Sequence, residues 1–143
     1  MGLRLLALSL LLCGPVAAAE ERVRVRAEVV AVSSDGDHVE PPQLAAMRTE
    51  FQRHGRKPAL TSFRRLSEKR LELVRGVPQV LPLPGNGQVT VALEQLRDDQ
   101  ALVSVEVPKL VKTVLQLGRR GTLYQQLSHN EREQLVFLVL HPD

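Results

Sequence analysis

The sequence predicts an α+β fold, mainly an antiparallel sandwich-like β domain with one amphipathic helix packed on the sheet. Short segments in which apolar and polar residues alternate recur roughly every ten positions over most of the chain, which is the spacing of an antiparallel meander or sandwich. One early segment instead carries apolar residues at helical spacing. Together these two patterns indicate six to eight short strands and a single helix.

Residues 1–19 have the features of a secretory signal peptide. Arg4 precedes the apolar run Leu5–Leu12, which has about half the length of a membrane-spanning helix. The small residues Ala17–Ala19 then provide a site for signal peptidase. We therefore expect cleavage after Ala19 and one β-rich domain over 20–143. This domain would lie in the periplasm or outside the cell and would not be an integral membrane protein.

Cys13 offers an alternative fate for the same segment. A lipoprotein signal also uses a cysteine directly after the apolar run, but its peptidase requires a small residue before that cysteine, and Leu12 is large. Lipid anchoring is therefore disfavoured. Because the chain has one cysteine, cleavage after Ala19 removes disulfide and thiol chemistry from the exported domain.

Composition excludes several classes of function. The formal net charge is only +3, and aromatic residues make up 3% of the chain, so stacking surfaces for bases or sugars are scarce. No helix-turn-helix, zinc or RNA-binding signature accompanies the charge, so we expect no nucleic-acid partner. Gly-x-Ser-x-Gly, His-Glu-x-x-His and phosphate-binding glycine motifs are missing as well. The sequence thus favours a protein that is not an enzyme and has no cofactor.

The first strand is predicted by the segment "RVRVRAEVVAVSS", which begins at Arg22. Its valines and Ala27 occupy one side, whereas Arg22, Arg24, Arg26 and Glu28 occupy the other. From Val29 to Val32 both sides are apolar, which indicates a strand covered on two faces before a turn ends it.

The helix is predicted to begin at Pro41-Pro42, because proline is tolerated in the first turn. Leu44, Met47 and Phe51 then follow at spacings of three and four residues, and Gly55 provides a stop. This apolar stripe should lie against the sheet.

Further strands are predicted over Thr61–Leu66 and Arg70–Arg75. The segment "GVPQVLPLPGNG" is predicted to be an edge strand or a loop, because its prolines cannot donate to a strand ladder. The segments "QVTVAL" and "ALVSVEV" form one predicted hairpin, and "LQLGRRGTLYQQ" forms another, with Gly118 and Gly121 in its turn. "QLVFLVL" is apolar on both faces, so we expect a central strand.

The order of these segments resembles a group of small exported proteins of unknown function in myxobacteria-like Gram-negative bacteria. The resemblance covers roughly residues 60–140 and implies an envelope location and a β-rich fold, with no activity attached. This chain has Glu131-Arg132-Glu133 where members of the group often have glycines. The matching positions are Phe63, Leu66, Leu71, Leu73, Gly76, Leu83, Pro84, Gly118, Gly121, Leu135 and Phe137.

The candidate binding residues are basic. If the fold brings them to one face, they would hold an anionic partner such as a lipid, a lipopolysaccharide phosphate or an acidic protein. Alternatively, they form a solvated strand face whose charge prevents edge pairing. The predicted binding residues are Arg53, Arg56, Lys57, Arg64, Arg65, Lys69 and Arg70, with Arg75 at the end of the run and Glu68 and Glu72 opposing them.

No metal site is predicted. His38, His54, His129 and His141 lie in separate segments without the close spacing of a metal-binding pair. The segment 35–38 contains two aspartates but lacks the further acidic positions of a calcium loop, so it indicates a turn.

We therefore predict a non-catalytic exported envelope protein that acts as a binding or assembly subunit for a protein or an anionic envelope component. One alternative is a small hydrolase or ligand carrier with a pocket near Arg64, His54 or Tyr124. Another is a structural accessory domain of a secretion or surface machine, with "VPQVLPLP" accepting an added strand.

Overall fold

The computed structural model describes residues 21–54, 60–129 and 134–143. Within them the chain forms nine strands and one α-helix. In chain order these elements are β1 (Arg22–Ser33), β2 (Val39–Glu40), α1 (Ala45–Arg53), β3 (Ser62–Val74), β4 (Gln79–Pro82), β5 (Gln88–Arg97), β6 (Gln100–Val107), β7 (Val111–Gly118), β8 (Leu123–His129) and β9 (Leu135–Pro142).

The strands form two packed sheets, which confirms the predicted fold class. The five-stranded sheet has the order β2-β3-β1-β9-β8, and the four-stranded sheet has the order β4-β5-β6-β7. All strand pairs are antiparallel except the short pair of β2 with β3. Helix α1 covers part of the outer face of the five-stranded sheet.

Two apolar layers hold the fold together. The larger layer lies between the sheets and is built mainly of valine and leucine, and the smaller one lies between α1 and the five-stranded sheet. Strand β9 contributes to both, because Leu138 faces the first layer and Phe137 faces the second. The predicted central strand is therefore confirmed, and its two-sided apolar pattern has a direct structural cause.

Helix α1 is preceded by a single 3-10 turn, Pro42–Leu44, and packs by the predicted stripe. Leu44, Met47 and Phe51 are buried. The Phe51 ring makes edge-on contacts with three aromatic rings of the sheet, at centroid distances of 5.0 to 5.6 Å. Gly55, the predicted stop, lies outside the described residues.

The prediction of two separate strands, Thr61–Leu66 and Arg70–Arg75, was wrong. The structure has one strand, β3, which pairs with β1 along its whole length. Val29 pairs with Ser67 and Val30 pairs with Arg65, so Leu66 is the extra residue of a β-bulge. Beyond this interruption the ladder continues through the polar residues Ser67, Glu68 and Lys69, where the sequence pattern had predicted a break between two strands.

The predicted hairpin "LQLGRRGTLYQQ" was also wrong. Strand β7 ends the four-stranded sheet, whereas β8 pairs with β9 in the other sheet, so this connection crosses between sheets. The reason is non-local, because β9 is buried on both faces and lies between β1 and β8. Two further predictions are confirmed, because β5 and β6 form a hairpin and β4 is an edge strand. The predicted number of six to eight strands was too low, since nine are present in the described residues and one of them, β2, has only two residues.

The predicted signal peptide and Cys13 lie outside the described residues. Among the residues that are described, none of the helices has the length and apolar character needed to cross a membrane.

Candidate functional site

The outer face of the five-stranded sheet is divided into two halves. Helix α1 covers the apolar half, where Val30, Val32 and Phe63 are buried. The other half carries arginines from β1 and β3, because alternate residues of a strand lie on the same face. We call this half the arginine face; its basic residues are Arg22, Arg24, Arg26, Arg65 and Arg70.

Glu28 lies where the two halves meet and is the only charged residue buried within the described part of the chain, with 2% of its surface exposed. Its carboxylate accepts a hydrogen bond from Arg65 and lies 2.8 Å from Nε2 of His141. Nη1 of Arg26 approaches it at 3.4 Å. Glu68, directly opposite Glu28 on β3, binds Nη1 of Arg65 at 2.8 Å. Two carboxylates and two guanidinium groups thus compensate one another, as buried charges require.

These contacts decide the ionisation of Glu28. Burial by itself raises the pKa of this carboxyl group, but the hydrogen bonds from His141 and Arg65 and the positive charge beside it lower the pKa further, and the net shift is downward. Glu28 is therefore an anion at neutral pH.

A polar cavity of about 300 Å³ opens beside this cluster, under the first turn of α1. Thr122, Tyr124 and His141 supply its polar wall, and Leu44 and Met47 supply an apolar one. The Thr122 hydroxyl lies 3.3 Å from Nδ1 of His141, so a hydrogen-bonded chain runs from Thr122 through His141 to Glu28. Burial and the nearby carboxylates of Glu50 and Glu28 raise the pKa of the Tyr124 hydroxyl, which therefore stays protonated.

Two guanidinium groups of the arginine face have no carboxylate partner in the part of the chain that the structure describes. Glu72, opposite Arg24 in the ladder, is bound by Arg22 at 2.9 Å. Among the described residues Arg24 and Arg70 form no ion pair, and both are exposed. They line a shared depression of about 270 Å³ together with Leu71, Glu72 and Asp143.

The position of Arg70 adds to this excess of positive charge. Arg70 lies directly opposite Arg26 in the ladder, an arrangement in which like charges are destabilising. Arg26 has only the longer contacts of 3.4 and 3.9 Å to Glu28 and Glu68. An anion placed between Arg24, Arg26 and Arg70 would relieve the repulsion.

The predicted binding residues do not gather on one face. Arg65 and Arg70 lie on the arginine face, but Arg64 pairs with Ala31 and Lys69 with Ala27, so both belong to the opposite side of the sheet. Arg53 is at the end of α1, 3.7 Å from Glu50. Arg56 and Lys57 lie outside the described residues.

The three residues predicted to line an alternative pocket also lie in different parts of the structure. Tyr124 borders the polar cavity, His54 binds Glu50 at the end of α1, and Arg64 borders a different cavity of about 460 Å³.

The first strand contains site residues that were not included in the prediction. Its alternation had already placed Arg22, Arg24 and Arg26 on one side, and this was the available signal. Their pairing with Arg70 depends on the β1–β3 register, which includes the bulge at Leu66. That register has no local signature.

Comparison with known proteins adds no relative. The chain matches no protein-family model, no curated protein and no solved structure. The resemblance to the exported myxobacterial group stays a prediction. The described residues contain no group of three or more His, Cys, Asp or Glu side chains that could hold a metal ion.

Proposed function

We propose that this protein is an exported, non-catalytic binding subunit that holds a phosphate-bearing component of the cell envelope on its arginine face. The observation that supports this proposal is the pair of exposed guanidinium groups of Arg24 and Arg70 on one sheet face, next to Arg26, for which the described part of the chain supplies no ion-pair partner. Guanidinium groups bind phosphate through two parallel hydrogen bonds, which suits two arginines on neighbouring strands.

The rigidity of the support favours the same assignment. Both arginines lie on strands whose neighbouring residues are buried, such as Val25 and Leu71. The backbone positions from which the two side chains extend are therefore fixed before a ligand arrives, so only the side chains themselves have to be ordered on binding. Asp143 borders the same depression, and its negative charge opposes an anion there, so the positive charges of Arg24, Arg26 and Arg70 have to outweigh it.

The test is binding of the exported chain to vesicles that contain an anionic phospholipid, with neutral vesicles as the reference. The double variant Arg24→Gln, Arg70→Gln should weaken binding by about tenfold or more, because a hydrogen bond to a charged group contributes about 1.5 kcal/mol. Inorganic phosphate should compete, and added salt should weaken binding.

The matched control removes two positive charges elsewhere. Arg97 and Arg120 are exposed and form no ion pair among the described residues. The double variant Arg97→Gln, Arg120→Gln has the same net charge as the test variant and should bind as the unmodified protein does. Equal losses in both variants would mean that only net charge matters, and absence of binding at low salt would rule the proposal out.

A ligand-processing role is the second candidate, and the chain Thr122–His141–Glu28 beside the polar cavity favours it. A hydroxyl, an imidazole and a carboxylate in sequence are the groups that a hydrolase uses to activate a nucleophile. Turnover of small activated esters that is lost in Thr122→Val and in His141→Gln would support this role. Turnover no faster than in buffer would exclude it for that substrate class.

A further inference from the structure

The outer face of the four-stranded sheet carries no covering element among the described residues. Burial alternates along β5, β6 and β7, which identifies the side chains that face outward. We call this surface the bare face. Most of its residues are uncharged, and Glu106 and Lys112 stand opposite each other in the ladder. Representative members are Val80, Thr90, Ala92, Leu102, Ser104 and Val114.

The exposed large apolar residues of the described chain all belong to this sheet or to the turns that join it. Val114 is 58% exposed, Val80 45%, Val77 49% and Leu110 66%. Val114 and Val80 lie on the two edge strands, β7 and β4.

Of the four sheet edges formed by the described residues, β7 is the least protected. Edge strand β4 has four residues and contains Pro82, which cannot donate to a ladder. Strand β8 has a register irregularity after Gln126. At the remaining edge, β2 has two residues, and β3 beyond it has the Leu66 bulge and a charged run. Bulges, prolines and charges are the usual devices that prevent edge pairing.

Strand β7 has none of these devices apart from Lys112. Its eight residues, Val111–Gly118, contain no proline and no irregularity in the ladder with β6. Val111, Thr113 and Leu115 point toward the inter-sheet core but stay partly exposed, because β7 is an edge strand of the described sheet.

We propose that β7 pairs antiparallel with β7 of a second copy of this chain, so that the two four-stranded sheets become one sheet of eight strands. The occupant is another copy because the sequence of β7 is complementary to itself. With Val114 opposite Val114 of the second copy, Lys112 lies opposite Gln116, and no two like charges face each other within Val111–Gly118.

The same register suits the inner side of the strand. Val111 comes to lie opposite Leu117 of the second copy, and Thr113 lies opposite Leu115, so the partly exposed apolar residues gain cross-strand neighbours. Because side chains alternate along a strand, this register also keeps the bare faces of the two copies on the same side of the joined sheet. A register that placed Lys112 opposite itself would instead oppose two positive charges.

The test is the mass of the exported chain in solution, measured by sedimentation or light scattering across a wide range of protein concentration. We expect a dimer that dissociates on dilution. Val114→Lys should give a monomer, because two lysines would stand opposite each other at the two-fold axis. Val80→Lys is the matched control on the proline-containing edge of the same sheet, and it should leave the dimer intact.

Disulfide trapping provides a second, independent measurement. The chain from Glu20 has no cysteine, so Val114→Cys introduces a single thiol that faces its own copy at a cross-strand distance a disulfide can span. Mild oxidation should give a covalent dimer with Val114→Cys and none with Val80→Cys.

Three results would overturn the proposal: a monomer at all concentrations, equal loss of the dimer in both lysine variants, or no trapping at position 114. None of them affects the anion-binding proposal, because the arginine face lies on the other sheet.

Discussion

The two sheets share one inner core but differ in their outer faces. The outer face of the five-stranded sheet is covered by α1 over one half and carries the arginine face over the other, and Glu28 is buried at their boundary, where it pairs with Arg65. The bare face of the four-stranded sheet has mostly uncharged side chains and no covering element among the described residues. One sheet therefore contributes to folding from both faces, whereas the other contributes only from its inner face.

The largest expected change in stability comes from removing the aromatic contacts under α1. Phe51→Ala removes a ring that is 6% exposed and touches Phe63, Tyr124 and Phe137. We expect the free energy of unfolding to fall by about 3 to 4 kcal/mol, measured by urea denaturation. Leu110→Ala, at a residue that is 66% exposed, is the control and should change it by less than about 0.5 kcal/mol.

Comparable losses in Phe51→Ala and Leu110→Ala would break the comparison, because they would show that an exposed residue in the turn between β6 and β7 is as important for folding as the region under α1.

The next effect concerns charge. Glu28→Gln removes the anion that compensates Arg65, Arg26 and His141, and leaves these groups with fewer partners in a site that is largely excluded from water. Because Arg65 and His141 are partly exposed, we expect a loss of about 2 kcal/mol, below the full cost of an isolated buried charge. Glu106→Gln on the bare face should cost less than about 0.5 kcal/mol. The free energy of unfolding of both variants should be measured by urea denaturation at neutral pH.

Lowering the pH should remove the same contribution from the unmodified protein. The pKa of Glu28 is lower in the folded state than its ordinary value of 4.5, so its stabilising contribution is present above that value. The contribution is lost as the pH falls through the folded-state pKa. The difference in unfolding free energy between the unmodified protein and Glu28→Gln should therefore shrink below about pH 4.5. A constant difference down to about pH 3 would mean that Glu28 acts through packing alone.

The fold could be predicted from sequence where the pattern is local. The stripe Leu44, Met47, Phe51 predicted α1, and alternating apolar residues predicted β5, β6 and β9. The connection 119–122 resembles a hairpin turn, but no local feature tells whether β8 joins the sheet of β7 or the other sheet. That choice depends on β9, which lies between β1 and β8.

The candidate site was less predictable for the same reason. The alternation of β1 showed three arginines on one side, but their counterpart, Arg70, is brought opposite Arg26 only by the ladder with β3. The contact between Glu28 and His141 joins residues that are 113 positions apart. One sequence shows which residue types are available for such a cluster. It does not show the long-range strand register that brings them together, because that register is set by the folded sheet.

The smallest expected effect is also the most direct comparison of the two outer faces. Val30 and Val80 are both valines on the outer side of a strand, but Val30 is fully buried under α1 and Val80 is 45% exposed on the bare face. Val80→Thr should change the unfolding free energy by less than about 0.5 kcal/mol, because its hydroxyl can bind water. Val30→Thr places the same hydroxyl where no water reaches it and should cost about 1 to 2 kcal/mol. If Val80→Thr costs as much as the value of about 1 to 2 kcal/mol expected for Val30→Thr, Val80 is buried in solution by something other than this chain's own helix, and the β7-paired dimer would not explain it, since Val80 lies on the opposite edge of the sheet.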